Sequence, residues 1–287
     1  VTESVILLWD SLKISNGKWI WWSRGIGGRS ALDYLIKVKG YSFLEAVETI
    51  IGHTAIQAPV YEKPQAKEEN KPLLLPEKCV SNRVITEYLF GRGIDFEIIN
   101  YCISNDLIFE SLPYHNVVFV GYDEKKEPKY AAYRSTNKRR IMGDCSGSKK
   151  DYSFRLGKEN LEEVHLFECA IDLLSYATLA KLNGQDWKEM SFVSLSGVYS
   201  PAKKIEDSKV PIALEKYLGS NPSVRKIRIH FDNDIAGRKA AQTLKTILPD
   251  KYEIVDEPPK AGKDFNDFLC MRMGIYNKKI HERNEER

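Results

Sequence analysis

From residue 160 onward, short apolar runs alternate with longer amphipathic ones, and this rhythm constrains the fold more than any other feature. Val164-His165-Leu166-Phe167, Ser191-Phe192-Val193-Ser194-Leu195, Lys226-Ile227-Arg228-Ile229-His230-Phe231 and Tyr252-Glu253-Ile254-Val255 have the length and composition of strands. Residues 170–182, 210–218 and 236–248 between them read as helices. Strand–helix alternation means parallel strands joined by right-handed crossovers, hence an α/β fold with a central parallel sheet flanked by helices. Open parallel sheets bind ligands beyond the carboxyl ends of their strands. Those ends are where chemistry is expected.

Acids stand at three of them. The first strand runs into Glu168, the third into Asp232-Asn233-Asp234, and the fourth is followed by Gly262-Lys263-Asp264-Phe265-Asn266-Asp267. Carboxylates that share one place repel unless a cation joins them. Mg²⁺ suits such a place, because it takes hard oxygen ligands and is held by one or two carboxylates plus substrate phosphates. Asp172 lies in the first turn of the following helix, where a carboxylate is favoured in any case. For it, capping and metal ligation are both open. Ala236-Gly237-Arg238-Lys239-Ala240-Ala241 opens a helix with small residues that allow close approach to the sheet. Its two cations either meet a phosphate or balance the neighbouring acids.

Upstream the texture changes. Pro59, Pro64, Pro72 and Pro76 are spread through Glu, Lys, Gln and Asn, so residues 55–80 read as a linker. Before it, Trp19-Ile20-Trp21-Trp22 and Gly25-Ile26-Gly27-Gly28 precede two helical stretches separated by Gly40, a β-hairpin with two helices over residues 1–54. A small module needs large apolar groups, so at least two of Trp9, Trp19, Trp21 and Trp22 are expected in its core. After the linker, helices capped by Ser81 and Asp95 precede strands at 116–121 and 129–133. Residues 81–160 form this mixed region, residues 161–275 the alternating one, and the charged tail 276–287 is expected to fray.

With 287 residues and 43 basic against 40 acidic side chains, the chain has room for a real core and a net charge of only +3. The charge is not evenly spread. Between Arg134 and Arg155 stand seven cations (Arg134, Lys138, Arg139, Arg140, Lys149, Lys150 and Arg155) and two acids. Tyr130, Tyr133, Tyr152 and Phe154 flank them, and Lys129 adjoins. Cations interleaved with aromatics suit single-stranded nucleic acid, where phosphates take the charge and bases stack on rings. The competing reading is a solvated loop with core aromatics. His230 alternates with Ile229 and Phe231, so a structural role is expected of it. Five cysteines at 79, 102, 145, 169 and 270 form no CxxC pair, which indicates neither a disulfide framework nor a zinc ribbon. No stretch is long enough to span a bilayer and no export signal opens the chain, so a cytoplasmic protein without a membrane partner is expected.

Glu168-Cys169-Ala170-Ile171-Asp172, Leu195-Ser196-Gly197-Val198, Phe231-Asp232-Asn233-Asp234 with its small-residue helix, and Gly262-Lys263-Asp264 resemble, in order, the motif series of a toprim domain. The similarity is to bacterial DnaG-type primases, and to the primase-like proteins of plasmids and transposons. It implies a toprim fold, preceded by a basic subdomain and by a remnant of the primase zinc-ribbon module. In that remnant Trp21, Trp22 and Ser23 stand where thiolate ligands belong, and no zinc is expected in the protein. The resemblance further implies that Glu168, Asp232 and Asp234 are catalytic and hold Mg²⁺ or Mn²⁺, with Asp264, Asp172 and Asp267 assisting. Lys129, Tyr130, Arg134, Lys138, Arg139, Arg140, Lys149, Lys150, Arg238, Lys239 and Lys263 become candidate contacts to nucleic acid or nucleotide. The implied activity is metal-dependent nucleotidyl transfer on single-stranded DNA with NTPs, beside replication proteins of a mobile element. A toprim nuclease and a non-catalytic single-strand-binding accessory remain as alternatives. Departures from the family are Cys169, where a glycine is usual, and Asn266 at a late acidic position.

Overall fold

A computed structural model describes residues 11–15, 17–52, 71–197, 199, 201–202 and 204–275. Trp9, most of the proposed linker and the charged tail lie outside them. The chain divides into two compact units, Val1–Glu69 and Asn70–Arg287.

In the first unit, strands β1 (Leu12–Ser15), β2 (Lys18–Trp21) and β3 (Ile26–Gly28) form an antiparallel sheet, one strand more than the expected hairpin. Helices α1 (Ala31–Lys37) and α2 (Phe43–Gly52) follow. Alternation along β2 buries Trp19 and Trp21 and exposes Ile20. Trp22, the next ring, is 64% exposed. Trp19 meets Tyr34 of α1 edge to face at 5.4 Å. Gly28 is required there, because a Cβ would stand 2.6 Å from the Trp19 indole nitrogen.

The second unit opens with α3 (Arg83–Phe90) and α4 (Phe96–Ser104), followed by a four-stranded antiparallel sheet. Its strands β4 (Ile108–Glu110), β5 (Val117–Tyr122), β6 (Pro128–Arg134) and β7 (Met142–Asp144) pair in chain order. Asp95 caps α4 as expected, accepting the Glu97 amide. Helix α3 is capped differently. Its first turn donates from Val84 and Ile85 to the Glu110 carboxylate on β4, and Ser81 accepts only the Arg83 amide.

The alternating region forms the second sheet of this unit. Its strands are β8 (Arg155–Gly157), β9 (Glu163–Phe167), β10 (Ser191–Ser194), β11 (Lys226–Ile229) and β12 (Glu253–Asp256). Their order is β12-β11-β9-β10-β8, parallel except that β8 runs antiparallel to β10. Helices α5 (Ala170–Leu182), α6 (Ile212–Ser220), α7 (Ile235–Ile247) and α8 (Phe265–Arg272) cover it. Side-chain alternation serves both faces. Val164, Leu166, Val193, Ile227 and Ile229 pack in one core with residues of α6 and α7. Phe167 and Phe192 pack in the other with residues of α5 and α8. That second core also holds Ile85, Leu89, Ile98, Ile99 and Phe119, so the mixed region and the alternating region share one interior.

Candidate functional site

The sheet order places a topological switch point between β9 and β11. The chain leaves β9 for β10 on one side, then returns past it to β11 on the other. Crevices at such points are the usual ligand sites of open α/β sheets. Register does the rest. Leu166 lies opposite Ile229, and the His230 amide donates to the Leu166 carbonyl, so both strands end side by side. Glu168 and Asp232 therefore meet, and the Asp232 amide donates to Glu168 Oε1 at 3.2 Å.

Helix starts hold the remaining acids. Asp234 caps α7, accepting the Gly237 amide at 2.9 Å. Asp264 caps α8, accepting the Asp267 amide at 2.7 Å. Gly237 cannot be larger, since a Cβ would lie 2.2 Å from the Asp232 carbonyl oxygen and 3.0 Å from Glu168 Oε1. The two loops are tied by the Asn233 amide, which donates to the Lys263 carbonyl at 2.7 Å. Lys263 then turns its ammonium between the acids, 3.2 Å from Asp232 Oδ2 and 3.2 Å from Asp234 Oδ2.

The electrostatics are those of a site short of positive charge. Burial, then the charge of Asp232, pushes the Glu168 carboxyl up to about 7. Burial, then the charge of Asp264, pushes Asp172 up to about 7 as well. Burial also raises Asp232 and Asp264. Asp234 is lowered, chiefly by the Gly237 amide it accepts. The same acids push the Lys263 ammonium to a higher value, and hydrogen bonding to Asp232 is the largest cause.

A divalent cation fits this donor set. Glu168, Asp232 and Asp234 are hard oxygen donors beside one another, burial favours protonated Glu168 and Asp232, and a lysine ammonium already sits between Asp232 and Asp234. Among the described residues, no three of these acids bring ligand atoms within 4.8 Å of one another. The set is therefore open around Lys263 rather than drawn into a closed cage. Asp172 is committed elsewhere, accepting the Cys169 thiol at 2.8 Å and the Asn266 amide at 3.2 Å. Asp267 Oδ2 accepts the Lys263 amide.

Residues 165–269 match the family model described as Toprim-like. This part of the chain is a Toprim-like domain. Residues 87–160 match a model described as a protein of unknown function (DUF3991). The chain is similar to the primase fragment of the bacteriophage T7 primase–helicase protein, with 19% identity over 67% of this chain and 72% of that one, at a TM-score of 0.44. It is similar to the zinc-binding and RNA polymerase domains of the Aquifex aeolicus primase, with 15% identity over 95% and 74% and a TM-score of 0.41. For the E. coli primase catalytic core the figures are 12%, 66%, 69% and 0.43. No curated protein matches the sequence.

The basic candidates divide in the structure. Tyr130 is a correction. It is 1% exposed and its hydroxyl donates to Asp144 at 2.7 Å, so its ring cannot stack on a base. Phe154, at 1% exposed, is likewise core. Arg238 is a second correction. Its guanidinium is used up on Asp256 and on the carbonyls of Phe231 and Asp232, so it stitches the loop rather than meeting a phosphate. Lys129 pairs with Asp123 and Glu127. Arg134 donates to the Tyr88 hydroxyl. Lys150 pairs with Asp144 and reaches the Ser196 carbonyl after β10. Lys149 and Lys239 are exposed. Lys138, Arg139 and Arg140 are exposed and join no ion pair among the described residues.

Two features were missed in the sequence. Helix α8 is additional to the helices read from the alternation, although Asp264 followed by Asp267 and by Phe265, Phe268 and Leu269 at helical spacing signals a capped amphipathic start. Asn266, the apparent departure from an acid, is a strut. Its side chain accepts from Arg92 at 2.7 Å and donates to the Arg92 carbonyl and to Ser175, tying α8 to α5 and the turn after α3.

Proposed function

We propose that this protein is a primase-like, metal-dependent nucleotidyltransferase that acts on single-stranded DNA. The observation that carries this reading is the meeting of Glu168 and Asp232 at the switch point, with Asp234 held beside them by the start of α7. In the proposal Glu168, Asp232 and Asp234 hold Mg²⁺ or Mn²⁺. A bound divalent ion supplies charge neutralisation at a triphosphate and orientation of an attacking hydroxyl. The chain's own groups do the rest. The α7 amides fix Asp234, the Asp232 backbone fixes Glu168, and Lys263 keeps the acids from repelling one another until a cation replaces it. Asp264 sets the loop that carries Lys263. Lys138, Arg139 and Arg140 are the exposed cations suited to a strand's phosphates. No helix among the described residues is long and apolar enough to cross a membrane. We propose a cytoplasmic role in replication of a mobile element on the resemblance of its motif series to the primase-like proteins of plasmids and transposons.

Primer synthesis on single-stranded DNA with NTPs and Mg²⁺ or Mn²⁺ tests the reading. The chain should extend products, and a variant carrying Asp232→Asn with Asp234→Asn should not. Products from that variant refute the assignment. Metal-dependent cleavage of labelled DNA without incorporation replaces it with the toprim nuclease. Salt-sensitive strand binding alone, unchanged in the variant, replaces it with the non-catalytic accessory.

A further inference from the structure

The described residues contain one set of three ligand atoms within 4.8 Å of one another, and it lies outside the toprim site: Cys79, Glu110 and His115. Three separate pieces of backbone bring them together, and each is pinned. The segment before α3 runs antiparallel to the end of β4, with Lys78 bridged to Ser111, the Cys79 amide donating to the Glu110 carbonyl at 2.7 Å, and the Leu112 amide donating to the Glu77 carbonyl at 2.8 Å. Cys79 is thus set by a ladder rather than by a free loop. His115 is held in a left-handed conformation (φ 51°), its amide donating to the Ser111 carbonyl and its own carbonyl accepting from Thr136. A non-glycine residue there is uncommon, and such positions concentrate at functional sites.

Glu110 decides what the set can bind. Its carboxylate is buried, with 2% of the side chain exposed. Oε2 is taken by the Val84 and Ile85 amides at the start of α3. Oε1 shares a hydrogen bond with His115 Nδ1, 2.5 Å away, which a metal bound between them would replace. One carboxylate oxygen is therefore spent on the helix start and the other points into the cluster. The His115 side chain is 45% exposed, which leaves an approach from solvent.

We propose that Cys79, Glu110 and His115 form a zinc site with three protein ligands and an open fourth position. The charges close: a thiolate and a carboxylate match the two positive charges of Zn²⁺, and the imidazole binds neutral. Thiolate and imidazole select a soft or borderline ion over Mg²⁺. Three protein ligands with a water completing the tetrahedron is an established zinc arrangement. The site joins the segment before α3 to β4 and to the turn that follows it, and so locks the edge of the antiparallel sheet. It is distinct from the thiolate ribbon that residues 1–54 lack. Ligands spread over 31 and 5 positions make no spacing motif, which is why cysteine counting did not find it.

Co²⁺ titration of the full chain tests this. One equivalent should give a thiolate-to-metal charge-transfer band that survives in the variant with Asp232→Asn and Asp234→Asn and in Cys145→Ser. The band should disappear in Cys79→Ser and His115→Gln. In the wild-type chain, Zn²⁺ should slow iodoacetamide alkylation of Cys79, mapped by peptide mass, at least tenfold. This second measurement carries the test if Cys79→Ser does not fold. No band, a band kept in Cys79→Ser, or alkylation of Cys79 indifferent to Zn²⁺ overturns the site. Rapid alkylation that needs His115 but ignores Zn²⁺ also overturns it, and marks the three residues as an activated thiol instead.

Discussion

Replacing Glu168 with Gln isolates the electrostatic tension of the toprim site. The carboxyl is 6% exposed and its folded value is raised from 4.5 to about 7, by burial first and by the Asp232 charge second. Below pH 4.5 both the folded and the unfolded chain keep this proton, and the group is neutral to stability. Between 4.5 and about 7 the unfolded chain gives it up while the folded chain holds it, so stability falls as pH rises. The loss is complete once the pH passes the folded value. A rise of that size corresponds to roughly 3 kcal/mol. Glu168→Gln keeps the oxygen that accepts the Asp232 amide but cannot ionise. Wild type and variant should therefore melt alike near pH 4.5 in EDTA. At pH 8 the variant should be the more stable by about 3 kcal/mol, on the order of 6–12 °C in Tm for a unit of this size. Mg²⁺ should return most of that difference to the wild type and little to the variant. Thermal denaturation across pH 4.5–8, with and without Mg²⁺, measures all of this. Equal Tm values at pH 8 in EDTA would refute the reasoning, because Glu168 would then ionise in the fold without strain.

Lys263→Met removes the ammonium between Asp232 and Asp234. In EDTA at neutral pH it should destabilise the chain by about 0.5–1 kcal/mol, a modest loss because the side chain is half exposed. In titration calorimetry it should bind Mg²⁺ more tightly than wild type, whereas equal or weaker binding would show that Lys263 does not stand in for the cation. Gly237→Ala places a methyl against the Asp232 carbonyl, so urea denaturation should show a loss of roughly 1–3 kcal/mol, and primer synthesis should fall with it. Ala at Lys138, Arg139 and Arg140 together should leave the melting curve unchanged. If all three meet phosphates, the slope of log affinity for single-stranded DNA against log salt should shrink by about 2. An unchanged slope would move the binding face elsewhere.

Much of this was written in local pattern. The rhythm after residue 160 was enough to expect a parallel sheet, because crossover helices and buried strands impose their periods directly on the sequence. Glu168, Asp232 and Asp234 could be singled out because they follow strands, and strand ends in such a sheet share one rim. The short pieces were not legible. Strands β4, β7 and β8 have three residues each, too few for alternation to show, and β8 is an antiparallel edge on a sheet expected to be parallel throughout. His230 was expected to be structural. It stacks on His165 and Phe167, its Nδ1 donates to the Glu257 carbonyl, and its Nε2 shares a hydrogen bond with His165 Nδ1.

Composition and spacing thus determined which residues lie on which element and at which end. Tertiary structure alone decided which of them have charge to spare. Tyr130 and Arg238 look like binding residues in a list of cations and rings, yet neighbours distant in sequence bury one and saturate the other. Glu110, Cys79 and His115 look ordinary until β4 brings them within reach of one another. Hydrogen-bond satisfaction and burial depend on what the rest of the chain places alongside, and local sequence carries no record of that.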